Sequence, residues 1–157
     1  MKCRAKISAT LRVAVASNST LITLRPSHLA DIVAHARETN PAECCGLIGG
    51  VAGTAKTIYR LRNVSANNQI SYEVAPEELF AAQREMRQRD EHLLAIYHSH
   101  PRSSEPTPSE TDVRLAYYPA AVYFIVGLGN AEPTLRAFRI SEAERRWERV
   151  EYAIADA

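Results

Sequence analysis

The sequence has no long apolar run, no excess of one charge and few cysteines. Over 157 residues, Lys and Arg number 19 and Asp and Glu 18, for a formal net charge of +1. That balance supplies no basic field for nucleic acid and no acidic tail that would resist folding. No stretch approaches the ~20 apolar residues that a membrane span requires. The three cysteines are Cys3, Cys44 and Cys45, and no C-x-x-C occurs. Adjacent cysteines rarely bridge each other, so these read as reduced thiols, which places the protein in the cytoplasm. Internal repeats, low-complexity tracts and interdomain linkers are also missing. The chain therefore reads as one domain with its own core, and a homodimer is left open.

Met1–Ser17 carries early Lys and Arg and the apolar Val13-Ala14-Val15-Ala16, but Arg12 interrupts it as a signal sequence. Residues 1–19 are expected to form a loosely packed, disordered extension, and residues 20–154 the folded domain.

Within that domain the hydrophobic pattern alternates between two periods. Thr20–Leu24 reads as a strand. Pro26 and Ser27 open a helix with Leu29, Ile32, Val33 and Ala36 on one face, ended at Asn40-Pro41. Glu43–Gly50 and Lys56–Val64 read as strands on either side of a turn at Val51–Thr54. A polar loop over Ser65–Gln69 precedes a short strand at Ile70–Val74. Pro76 starts a helix to about Asp90. Leu93–Tyr97 leads a strand into two histidines. Ala121–Leu128 and Thr134–Ile140 are strands around a turn. After Arg145 the pattern fits strand or helix equally. His28, His35 and His92 are expected to be solvated surface residues, and Trp147 to serve packing. The sum is a mixed α/β fold of α+β type, with a curved, mostly antiparallel sheet flanked by helices.

The chemistry concentrates between Tyr97 and Asp112. In an extended chain His98 and His100 point the same way and Ser99 the other. Two neutral imidazoles on one face can hold one divalent ion. Pro101 favours extended geometry at His100 and should end the strand. A proline-stiffened loop runs to Pro108, and helix signals follow: Thr107 as N-cap, Pro108 at the first position, Glu110 completing a capping box. Ser109 and Asp112, three apart, share a face of that helix. Asp112 then supplies a third, carboxylate ligand. Two histidines and one carboxylate leave a fourth position for water, the pattern of a catalytic zinc site; iron is the lesser option.

A zinc hydrolase also needs a carboxylate base near the metal but not on it. Glu38, Glu43, Glu73, Glu105 and Glu110 are available. Glu43 stands out because it begins an otherwise apolar strand, where a carboxylate is either paired or functional. Ser109 is a candidate donor to a tetrahedral oxyanion, and helix capping alone would also explain it. Cys44 or Cys45 beside a histidine would suggest a thiol hydrolase, but strand alternation lets at most one of them reach the site.

The segments Pro41-Ala42-Glu43-Cys44-Cys45-Gly46, Tyr97-His98-Ser99-His100-Pro101 and Pro108-Ser109-x-x-Asp112 together resemble the JAMM metallopeptidases, or MPN+ domains. That family's pattern is a glutamate, then H-[ST]-H, then S-x-x-D. The resemblance runs from about Leu21 to Tyr152 and is greatest to the short bacterial members. Those are linked to ubiquitin-like sulfur-carrier proteins, and one subgroup releases cysteine from the carrier's C-terminal glycine. The resemblance implies a cytidine-deaminase-like sandwich around a curved sheet. It implies zinc on His98, His100 and Asp112, Glu43 as general acid/base, and Ser109 supporting the oxyanion. It implies a zinc peptidase or isopeptidase whose partner is a ubiquitin-like sulfur carrier with a C-terminal Gly-Gly tail. One residue more than the commonest family spacing separates His100 from Ser109. The long insertions with which eukaryotic deubiquitinases hold ubiquitin are missing, which argues against ubiquitin itself. The alternative in another class is a catalytically inactive MPN-type protein-binding scaffold. A zinc deaminase would need H-x-E and P-C-x-x-C, and neither is present.

Overall fold

A computed structural model describes residues 21–156. The extension expected over residues 1–19, the strand start at Thr20 and Cys3 lie outside the described residues. In chain order the elements are β1 (Ile22–Leu24), α1 (Pro26–Thr39), β2 (Cys45–Val51), β3 (Thr54–Leu61), α2 (Pro76–Gln88) and β4 (His92–His100). There follow α3 (Glu110–Arg114), β5 (Val122–Gly127), β6 (Thr134–Ser141), β7 (Arg146–Val150) and β8 (Tyr152–Ile154).

One sheet holds all eight strands in the order β7-β6-β5-β4-β2-β3-β1-β8. The pairs β2–β3, β2–β4, β5–β6 and β6–β7 are antiparallel, while β4–β5, β1–β3 and β1–β8 are parallel. β7 and β8 stand at opposite ends of this order, yet only Glu151 separates them in sequence. The sheet therefore curls almost closed on itself. This is the curved, mostly antiparallel α+β sheet that the alternating pattern predicts. The ambiguous tail resolves as strand, and Trp147 packs edge-on against Phe138 with ring centroids 5.3 Å apart.

Each face of the sheet has its own core. Ile32 and Ala36 of α1 cover one face, with Leu24, Cys44, Ile48, Tyr97 and Phe124. Leu79, Ala82 and Met86 of α2 cover the other, with Cys45, Leu47, Leu93, Ile96 and Ile125. Cys44 and Cys45 thus fall on opposite faces, as strand alternation requires. β4 is buried on both faces from Leu93 to Ser99 because a helix covers each of them. Among the described residues, no helix is long and apolar enough to cross a membrane.

Three expectations fail. Ile70–Val74 is not a strand: Ile70 and Ser71 both donate to the Asn67 carbonyl at 3.1 Å, and only Val74 bridges, to Asn63. The polar loop before it folds back and captures the backbone groups that a ladder would need. His28 and His35 are buried rather than solvated. His35 Nδ1 shares a 2.7 Å hydrogen bond with the Tyr97 hydroxyl, and His28 Nδ1 accepts from the Arg25 backbone N–H at 3.1 Å. Their helix packs its polar stripe partly onto the sheet, and each imidazole finds a partner there. His92 begins β4 and is half-buried.

Candidate metal centre

β4 is the spine of the site. Its pleat sends Tyr97 and Ser99 to the α1 face and His98 and His100 to the α2 face. His98 is fully buried. It pairs with Cys45 on β2 and with Ile125 on β5. The Tyr72 ring lies against it, with centroids 4.7 Å apart and a 31° tilt. His100 ends the strand and retains some exposure, as Pro101 predicts.

The connector to Asp112 is held by backbone contacts. Ser103 N–H donates to the His100 carbonyl at 3.0 Å, and Gly129 N–H donates to the Ser103 carbonyl at 2.8 Å. Pro106 is fully buried. At Gly127 an added Cβ would meet the Ser103 carbonyl oxygen at 2.5 Å, so only glycine lets the connector lie this close to β5.

The helix that follows is shorter than expected and is capped differently. Its N-cap is Ser109, not Thr107, and Pro108 precedes it. Asp112, not Glu110, closes the capping box. Ser109 Oγ accepts from Asp112 N–H at 3.0 Å, and Ser109 N–H donates to Asp112 Oδ2 at 2.8 Å. Two of the orphan donors at the helix start are met in this way. The same exchange fixes the rotamer of the Asp112 carboxylate and aims it at the histidines.

The three side chains converge. His98 Nε2 and His100 Nε2 are 3.2 Å apart, His100 Nε2 lies 3.0 Å from Asp112 Oδ2, and His98 Nε2 lies 3.2 Å from Asp112 Oδ1. Donors at about 2.0–2.2 Å from one tetrahedral zinc ion stand about 3.3–3.6 Å from each other. The two imidazole nitrogens stand about a tenth of an ångström inside that edge, each meets a different oxygen of Asp112, and the donor set of two imidazoles and a carboxylate suits zinc. Burial alone would raise the Asp112 carboxyl. The charge of His98 and hydrogen bonds from both imidazoles outweigh it and hold the group well below the usual carboxylate range. His98 Nδ1, on the far side of the ring, has no hydrogen-bond partner.

Glu43 precedes β2 and is buried. Cys45 is opposite His98 in the β2–β4 register, and continuing that register sets Glu43 opposite His100 on the same face. Its Oε2 is buried without a hydrogen-bond partner. Burial pushes its carboxyl up to about 8, against a downward pull from His100 and a further upward push from Asp112. A buried carboxyl with a free oxygen beside a histidine pair is a group held ready for a proton.

Glu38 instead pairs with Arg60 at 2.8 Å on the surface, and Glu105 with Arg136 at 3.6 Å. Glu110 is exposed. Two residues that sequence reasoning missed contribute here. Tyr72 roofs His98, and it sits in the segment misread as a strand. Ser99 Oγ accepts from Cys44 N–H at 2.8 Å, and Cys44 O accepts from Ser99 N–H at 3.2 Å. The sequence signal for Ser99 is its position between two same-face histidines, which turns it towards the neighbouring strand. Cys44 lies on the face away from the histidines, and burial pushes its thiol up to about 11. That leaves no thiolate there for nucleophilic chemistry. Cys45 turns its sulfur towards the Leu61 carbonyl at 3.8 Å.

A family model described as prokaryotic homologs of the JAB domain matches residues 25–141. A desampylase from Haloferax volcanii is 37% identical over 100 residues, which cover 60% of this chain and 71% of that relative. A CysO-cysteine peptidase from Mycobacterium tuberculosis is 33% identical over 122 residues, covering 76% of this chain and 83% of that relative. Among solved structures, a protein from Desulfitobacterium hafniense superposes with a TM-score of 0.77 at 29% identity. That match covers 87% of this chain and 94% of the other.

Proposed function

The chain belongs to the family of prokaryotic homologs of the JAB domain, and on that premise we propose that it is a zinc-dependent peptidase. Its substrate would be an amide bond at the C-terminal tail of a ubiquitin-like sulfur-carrier protein, from which it would release cysteine or trim an extension. The observation that carries this reading is the convergence of His98, His100 and Asp112 beside the unpartnered oxygen of Glu43. The relatives named as a desampylase and a CysO-cysteine peptidase support the substrate class. Residues 20–154 would form the catalytic domain, working in the cytoplasm, where the buried Cys44 and Cys45 stay reduced.

In this reading His98 Nε2, His100 Nε2 and an Asp112 oxygen hold the ion. When bound, zinc supplies Lewis acidity, which lowers the pKa of water and polarises the scissile carbonyl. Glu43 Oε2 accepts a proton from the attacking water and returns it to the leaving amine. Burial, offset by His100 and reinforced by Asp112, pushes its carboxyl up to about 8, and a divalent cation between the three ligands favours the carboxylate. Ser109 Oγ accepts from Asp112 N–H, and an accepting hydroxyl still carries its own hydrogen. That hydrogen would be donated to the developing oxyanion.

The test is mass spectrometry of a carrier ending in Gly-Gly and bearing either C-terminal cysteine or a peptide extension. The expected product is the carrier shortened at the glycine, lost on chelation and restored by zinc. A carrier left intact in both forms by zinc-loaded protein would remove this reading.

A further inference from the structure

Asn63 follows β3 and meets the proposed base only at its backbone, yet its side chain makes a dense hydrogen-bond junction near the site. Its Nδ2 faces the carbonyl oxygens of Glu43 at 3.0 Å, Ser71 at 3.0 Å and Asn68 at 3.3 Å. Its Oδ1 accepts from the backbone N–H groups of Ser65 at 3.0 Å and Glu73 at 3.1 Å. One side of the amide meets only acceptors and the other only donors, so its orientation is fixed. The Asn68 carbonyl that Nδ2 faces also accepts from Glu43 N–H at 2.7 Å.

We propose that Asn63 is a positioning residue for Glu43, tying both backbone polar groups of that residue to the 63–74 loop. Its Nδ2 holds the Glu43 carbonyl directly and the Glu43 N–H through Asn68. The next residue, Cys44, is held by Ser99 from β4. Glu43 is thus suspended between the loop and the metal strand, and its carboxyl has no bond of its own at Oε2 to fix it. The backbone must set where that oxygen sits. The same junction pins the loop on both sides of Tyr72, which roofs His98. Aspartate has the same shape and keeps an acceptor for Ser65 and Glu73, but sets an oxygen against three carbonyls. Alanine removes both halves.

This assignment rests on the reading of Glu43 as the acid–base group, and its test is arranged to separate the two. Asn63→Asp should keep full zinc content, because the ligands come from β4 and the start of α3. Its kcat on the carrier substrate should fall about 10- to 100-fold, the scale of a small misplacement of a reacting group. Amide exchange at Glu43 should quicken while Ser65 and Glu73 stay protected. In a Glu43→Gln background the same change should cost less than about threefold, since a pair acting as one unit is not additive. If Asn63→Asp does not fold, Asn63→Ala takes its place, with kcat loss at full zinc and quickened exchange at all three amides. Unchanged kcat, or unchanged exchange at Glu43, overturns the assignment. Full turnover of Glu43→Gln alone would instead remove the acid–base reading, while the exchange result still decides whether Asn63 holds Glu43.

Discussion

The two faces of β4 carry the same kinds of group to opposite ends. On the α1 face, Tyr97 and His35 share a 2.7 Å hydrogen bond, and Ser99 is bonded to Cys44. Burial lowers the His35 pKa, aided by Arg60, so its imidazole is neutral at physiological pH. On the α2 face, three donors crowd within 4.8 Å of one another, and Glu43 Oε2 and His98 Nδ1 have no partner. The polar groups named on the first face are paired, whereas on the other two buried polar atoms at the site are left waiting. Local rules of polar satisfaction hold where a protein is only being stable and are relaxed where it has work to do.

His98→Ala attacks this contrast most directly. It should abolish zinc binding and turnover together, read by metal analysis and product formation; retained stoichiometric zinc would dissolve the contrast. Glu43→Gln should keep zinc and lose about 10²- to 10⁴-fold in kcat, the range for a general acid–base group. A third probe uses pH, with chelator present. The folded Glu43 carboxyl keeps its proton up to about 8, against an ordinary value of 4.5. Proton retention favours the folded state fully below the ordinary value, and that advantage is lost as pH rises through the folded one. Wild-type stability should therefore fall relative to Glu43→Gln between those limits, and denaturation curves that stay parallel would contradict it. The smallest effect belongs to the other face. Tyr97→Phe should cost about 1–3 kcal/mol in stability by stranding His35, with kcat unchanged. A large kcat loss there would mean the faces are not separate in function.

How much of this was legible beforehand follows from the range of each contact. His98 and His100 share a face because of a two-residue period, and Ser109 and Asp112 because of a helical turn. Both are local, and the structure brings the groups together. The cap assignment slipped from Thr107 to Ser109 because three prolines delay the helix, and Asp112 meets the cap serine's needs better than Glu110 can. Asn63, at the end of an alternating strand, looks like any turn residue. Its meaning depends on Glu43, Asn68 and Ser71 arriving from three directions, which no spacing encodes. His28 and His35 misled for the same reason: a helix face polar in sequence becomes an interior face only when strands from elsewhere press against it.

The near-closure of the sheet has a consequence for how the molecule is made. β1, the first strand described, finds a neighbour in β8, the last, so the ring is joined by residues synthesised long after β4. A nascent chain that has already emitted both histidines and Asp112 still has an open seam beside β1. Shortening the protein before Tyr152 would recreate that seam permanently, leaving the strand after residue 21 with a raw edge on the side that β8 normally covers.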